Sequence, residues 1–190
     1  MRTKSSGALL GAKVVAKEGA IVATIVAAIM ALAFSAAANA GPRFDEWATL
    51  KNDRHGFAIA YPTAVFEQKS APTSEDGRVL LSKDGKAKLL VGAFDNAEQN
   101  SLEDYRQFLL NDQYSGAAVD YAPVRQRWFV LSGTRNGEIF YQRVSFTCGG
   151  KLINSWAMLY PESERKLYDR VVEAVARTYS PGAGRTGSCD

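Results

Sequence analysis

Few residues of this chain have the type and spacing to do chemistry. His55 is the only histidine; it stands between Arg54 and Gly56, and one imidazole can serve as a general base. Its simpler role is a solvated loop residue ahead of the first strand. Ser163-Glu164-Arg165-Lys166 has the Ser-x-x-Lys spacing of penicillin-type acyl transfer, but the Ser-Asp-Asn and Lys-Thr-Gly partners of that chemistry are missing from the sequence. Gly149-Gly150-Lys151 has the end of a phosphate loop without its beginning, since Ser145 stands where the first glycine belongs and Leu152 follows the lysine. With one histidine, and two cysteines expected to be bridged to each other, no His/Cys metal cluster is expected. Asp45-Glu46 and Glu75-Asp76 read as solvated loop charges, and no calcium-loop pattern occurs. No catalytic, cofactor or metal residue is assigned.

The cysteines are more informative. Cys148 sits at the tip of a hairpin and Cys189 next to the C-terminus. The first forty residues have the pattern of an export signal. Arg2, Lys4, Lys13 and Lys17 are followed by an apolar run from Ile21 to Ala38. Ala38-Asn39-Ala40 then precedes Gly41-Pro42, so that cleavage is expected between Ala40 and Gly41. The competing reading is a retained membrane anchor, because the run approaches the ~18 apolar residues of a spanning helix. The chain has 23 basic and 20 acidic residues. Residues 1–40 hold four of the former and one of the latter, which leaves 19 of each in the exported part. The basic balance belongs to the leader and gives no reason to expect nucleic acid as a partner. An oxidising compartment and an even cysteine count favour a disulfide.

The elements that position these residues follow from periodicity. "HGFAIAYP" alternates and reads as the first strand. "GRVLLSKDGKAKLLVGAF" reads as two strands joined at a type I′ turn, Asp84-Gly85. "SLEDYRQFLLND" is a helix with Ser101 as N-cap and an apolar stripe at Leu102, Tyr105, Phe108 and Leu109. "AAVDYAPV" is a short edge strand. Three strands then follow, separated by Asn136-Gly137 and Gly149-Gly150; two-residue turns fix their register and place Arg143 opposite Val130 and Trp156. That register sorts the side chains. Phe129, Leu131, Phe140, Val144, Phe146, Ile153, Ala157 and Leu159 form a core face. Trp128, Tyr141, Arg143, Trp156, Met158 and Tyr160 lie on the other, which is either a binding face or a second core layer beneath the helix Ser101–Asp112. An Arg143–Trp156 cation–π pair is expected there.

Residues 162–179 form a closing helix. The last strand runs roughly 30 Å from the Gly-Gly turn at ~3.3 Å per residue. The helix returns roughly 26 Å at ~1.5 Å per residue. This brings the chain back to Cys148, so a flexible tail, 181–190, can tether Cys189 to it. Cys148 is placed on the Phe129 face, with the closing helix packed on that side. The expected architecture is one exported α+β domain over 41–180: an antiparallel β-sheet meander with helices packed on one or both faces.

Gly56, Phe57, Ile59, Tyr61 and Pro62 ("GFAIAYP"), followed by the Asp-Gly segments, the helix, the meander and the closing "YDRVVEAVARTYSP", resemble the PsbP-like family over about 50–180. That family shares a fold with DcrB-type bacterial lipoproteins and a Ran-binding nuclear import factor. The resemblance implies an antiparallel sheet with helices on both faces and a binding or assembly role rather than catalysis. No family binding residue maps onto this chain, and the leader lacks a lipobox cysteine. The expectation is therefore a periplasmic or secreted accessory domain that binds an envelope protein or component, without a cofactor. It would meet the membrane only through a retained leader. The alternative is a small hydrolase using His55 or a carboxylate.

Overall fold

The computed structural model describes residues 44–68, 74–187 and 189. The leader and its Ala38, Ala40, Gly41 cleavage site lie outside them. Asn136 and Gly137 both take positive φ, 53° and 77°, the conformation a type I′ turn requires at its two central residues. Gly149 and Gly150 do the same at 65° and 90°. These turns join β7 (Trp128–Arg135), β8 (Glu138–Thr147) and β9 (Leu152–Pro161), and Arg143 pairs with Val130 on one side and Trp156 on the other, as the spacing predicts. β9 also pairs along its length with β5 (Lys88–Asp95). β4 (Gly77–Ser82), the two-residue β3 (Phe66–Glu67) and β6 (Ala118–Tyr121) complete a seven-stranded antiparallel sheet, ordered β3-β4-β5-β9-β8-β7-β6. A separate two-stranded sheet pairs β1 (Trp47–Lys51) with β2 (Ala58–Pro62). β2 is the strand expected to come first; β1 precedes it.

The Asp84-Gly85 turn differs from expectation. Only Gly85 has positive φ, 73°, and its N–H donates to the Ser82 carbonyl at 2.8 Å, so this is a type I turn followed by a left-handed glycine. The cause is the Asp84 carboxylate, which accepts from Ser82 Oγ and from the Lys86 N–H and holds its own backbone out of the left-handed region.

Each face of the large sheet carries one helix. α1 (Leu102–Asn111) is capped by Ser101, whose Oγ accepts from the Asp104 N–H at 3.1 Å. It packs on Phe129, Leu131, Phe140, Val144, Phe146 and Ile153. α2 (Arg165–Ala176), entered through a tight turn at Glu162–Glu164, packs with β1 and β2 on Trp156, Met158 and Tyr160. The two helices are thus exchanged relative to the sequence expectation: the closing helix, not Ser101–Asp112, covers the aromatic face. The surfaces explain the exchange. α2 buries Tyr168, Val171, Val172 and Val175, a broad stripe matching the larger face, whereas α1 buries only Leu109 fully.

Cys148 is bonded to Cys189, with Cα atoms 5.0 Å apart. Its own φ of 55° takes it out of the strand alternation, and it packs on the α2 side rather than with Phe129. The segment expected to be a flexible tail is docked as far as Gly184 and held again at Cys189, with Arg185, Thr186 and Gly187 exposed between them. Ser180 and Ala58 exchange two backbone hydrogen bonds. Buried Asn154 accepts from the Gly182 N–H at 2.7 Å and donates to the Gly182 carbonyl, and Gly184 N–H donates to the His55 carbonyl. Only glycine fits at 182, because a Cβ there would lie 2.0 Å from the His55 carbonyl oxygen.

Candidate functional site

The aromatic face expected as a binding surface divides in two. Trp156 and Met158 are fully buried beneath α2, and Tyr160 is nearly so, its hydroxyl donating to Asp169 at 2.6 Å. This half is a second core layer. Trp128, Tyr141 and Arg143 remain half-buried beyond the helix. The guanidinium of Arg143 stacks 4.7 Å from the centroid of Trp128, not of Trp156. Trp156 meets the rings of Tyr141 at 5.0 Å and Tyr179 at 6.1 Å. Burial pushes the phenols of Tyr114, Tyr160 and Tyr179 well above the usual tyrosine range. A folded-state pKa raised in this way gives stability that is complete below the ordinary value of about 10 and is lost as pH rises above it. The urea midpoint is therefore expected to fall progressively above about pH 10, with tyrosinate absorbance appearing for these three phenols only as the fold opens. Tyrosinate formation with an unchanged midpoint would contradict this.

The opposite face carries an open groove. α1 covers β7, β8 and β9 through Tyr105 and Leu109 and reaches β5 only at Phe94, leaving β4 and the rest of β5 uncovered. Register places Val79, Leu90, Ala157 and Gln142 in one row across four strands, and Gly77, Gly92 and Ser155 in the next. The second row lacks bulk, and this makes the trough. Gly77 is required by close backbone approach, since a Cβ there would stand 2.7 Å from the Val91 carbonyl oxygen, and Gly92 is tightly placed, with 3.1 Å to the Asp76 carbonyl oxygen. Phe94, Tyr105 and Phe108 form an aromatic rim, with Phe94 and Phe108 41% and 52% exposed. Phe108 therefore points away from the core stripe expected of it. The groove has a volume of about 430 Å³, within the range of small-ligand sites.

One polar chain runs into it. Gln113 Nε2 donates to the Tyr114 hydroxyl at 3.2 Å; Tyr114 donates to Gln142 Oε1 at 2.7 Å; Gln142 Nε2 donates to Ser155 Oγ at 2.9 Å. Tyr114 is fixed by stacking on Phe140 at 4.0 Å. Each donor is committed to the next member, so the chain has a direction. It ends on the Ser155 hydroxyl proton, which has no acceptor among the described residues. A mainly apolar trough, with Ser74, Asp76 and Arg78 at one end and the Ser155 hydroxyl presented along its floor, suits an apolar group carrying a carbonyl or similar acceptor.

His55 is buried rather than solvated, its ring only 8% exposed. Its Nε2 lies 2.8 Å from Asp76 Oδ1, and Arg54 lies 3.1 Å from the same oxygen, so Asp76 is not the free loop charge expected. The hydrogen bond from His55, and then the charge of Arg54, hold the Asp76 carboxyl below the usual range. A His–Asp pair can orient a general base. Here the ring is enclosed, and its backbone joins the β1–β2 connection to the C-terminal segment through Asn52 and Gly184. The pair works as a clasp.

No protein-family model matches this chain, and no curated protein matches it in sequence. Among solved structures it is similar to the solution structure of cyanobacterial PsbP from Synechocystis sp. PCC 6803. The match covers 75% of this chain and 95% of that one, at a TM-score of 0.51 and 15% identity. The fold is PsbP-like. At this identity the likeness speaks for the architecture, as the strand motif "GFAIAYP" and the element order imply, and it concerns PsbP rather than the other two families named above. In the PsbP-like sheet the groove belongs to β4, β5 and β9. Of its residues, sequence reading singled out Ala157 and, on the helix, Tyr105 and Phe108, all as core. Gln142, Ser155 and Tyr114 were not singled out. A polar Gln142 within the otherwise apolar Phe140–Val144–Phe146 face was the signal available.

Proposed function

We propose that this chain is an exported, non-catalytic accessory domain of the cell envelope that binds an apolar segment of a partner in the β4–β5 groove. The observation that carries the reading is the directed hydrogen-bond chain ending at Ser155 inside a mainly apolar trough. Export is supported by the leader pattern and by the Cys148–Cys189 bridge. A PsbP-like architecture and an enclosed His55 ring favour binding over hydrolysis.

N-acetyl-leucinamide is a suitable probe, since its isobutyl group matches the trough and its carbonyl can accept from Ser155. Titrated into the mature protein and followed by amide resonances, it is expected to shift Gly77, Gly92 and Ser155 saturably. Ser155→Ala should weaken binding several-fold, the scale of one net hydrogen bond of about 1 kcal/mol. Shifts spread evenly over the surface, or equal binding by Ser155→Ala, would contradict the assignment.

A further inference from the structure

The uncovered end of the aromatic face carries a second signal, unconnected with the groove. Arg143 stands at the centre of β8 with Trp128 stacked on it. Arg54, Lys86, Arg165 and Arg177 each have a carboxylate within 4.0 Å. Arg143 has no carboxylate or hydrogen-bond partner among the described residues, although it is half-buried among aromatic rings, where an unpaired charge is costly. Tyr121, 51% exposed on the edge strand β6, pairs with Ser132 on this same face, in the row of Tyr141 and one row along from Arg143.

Unsatisfied groups gather at the guanidinium. Arg143 Nε, Trp156 Nε1, Ser145 Oγ and Tyr179 Oη are buried without a hydrogen-bond partner, four of the five such atoms among the described residues. Trp156 is the cross-strand neighbour of Arg143, Ser145 is two residues along the same strand and face, and Tyr179 packs on Trp156. Buried polar atoms in folded proteins are nearly always paired, with protein or with ordered water, so four donors without a protein partner in one place mark a site that takes an acceptor. All four carry a hydrogen to donate. Their complement is rich in acceptors.

We propose that this end of the α2 face is a carboxylate-binding site for an acidic side chain of a partner protein, with Arg143 as the pairing residue and Trp128 and Tyr121 as its walls. One guanidinium supplies one positive charge and a planar pair of donors. A carboxylate matches both features, whereas a phosphate dianion would be left half-compensated. A glutamate reaches further from its backbone than a chain end does, and the unpaired donors lie below the surface.

The test uses the mature protein and short peptides, read from the indole N–H resonances of Trp128 and Trp156 and the Arg143 Nε–H. Acetyl-Gly-Glu-Gly-amide is expected to shift these signals saturably, and the Gln counterpart is not. Arg143→Gln should weaken binding at least about tenfold, as loss of a charged hydrogen-bond pair does, and Arg143→Lys should weaken it less. Trp128→Leu, which leaves the charge in place, should also reduce affinity and stands in if Arg143→Gln fails to fold. Ser155→Ala in the groove should leave this binding unchanged, which separates the two sites. Equal shifts with Glu and Gln peptides, binding that survives Arg143→Gln, or tighter binding of a phosphoserine peptide or of acetyl-Gly-Gln-Gly with a free terminal carboxylate would each overturn the proposal.

Discussion

Replacing Trp156 with alanine is expected to destabilise the domain by about 3–5 kcal/mol, the cost of deleting a large buried ring. The side chain is fully buried. It lies where β9, the centre of the large sheet, meets α2, and it contacts the rings of Tyr141 and Tyr179. The cavity cannot close by a small shift, because sheet pairing holds β9 on both sides, against β5 and β8. The unpartnered indole N–H does not reverse this, since the lost apolar area far exceeds one polar atom. Urea melts of wild type and Trp156→Ala measure the effect. An unchanged midpoint and slope would mean that this part of the face is not a core layer and would return it to the candidate binding surface.

Removing the Cys148–Cys189 bridge is expected to have a similar effect, about 4 kcal/mol in the chain-entropy model for this loop. The two cysteines are 41 residues apart in sequence. Between them lie β9, α2 and the docked C-terminal segment, so the bridge closes the last third of the fold onto the β8–β9 turn. Asn154 and His55 hold Gly182 and Gly184 independently of the bridge. The reduced protein should therefore keep its native architecture while its urea midpoint falls. The double variant Cys148→Ser, Cys189→Ser gives the measurement without reductant. A midpoint within error of wild type would show that the loop is already closed by these other contacts.

Much of the architecture was legible because short-range chemistry encodes it. Asn136-Gly137 and Gly149-Gly150 supply the positive φ that two-residue turns need, and from those turns alone the register of three strands follows, down to Arg143 opposite Trp156. Ser101 and Asp104 mark the start of α1 in the same local way. The choice of helix for each face was not legible, since both faces are apolar and the decision rests on matching the width of α2 to the larger one. β1 was missed because "WATLK" offers one buried residue, Leu50, and little alternation. His55 looked solvated because its burial depends on Asp76 and Gly184, far away in sequence. The groove was the least visible feature. It is made by small side chains at Gly77, Gly92, Ser155 and Ala157; the β4–β5 hairpin joins the first two, but they meet the others only through the pairing of β5 with β9, a contact between strands some sixty residues apart that no nearby turn announces.

The measurement that bears most directly on the binding role is site-specific photo-crosslinking from the groove, in cells that make the full chain. A benzophenone side chain in place of Val79, which is 48% exposed at the trough, should yield one defined protein adduct. The same adduct should vanish when Ala157→Phe fills the floor of the groove, and it should not form from Val119 on the far edge of the sheet. An adduct unaffected by Ala157→Phe, or the same adduct formed equally from Val119, would contradict the assignment of the β4–β5 groove as the surface through which this domain acts.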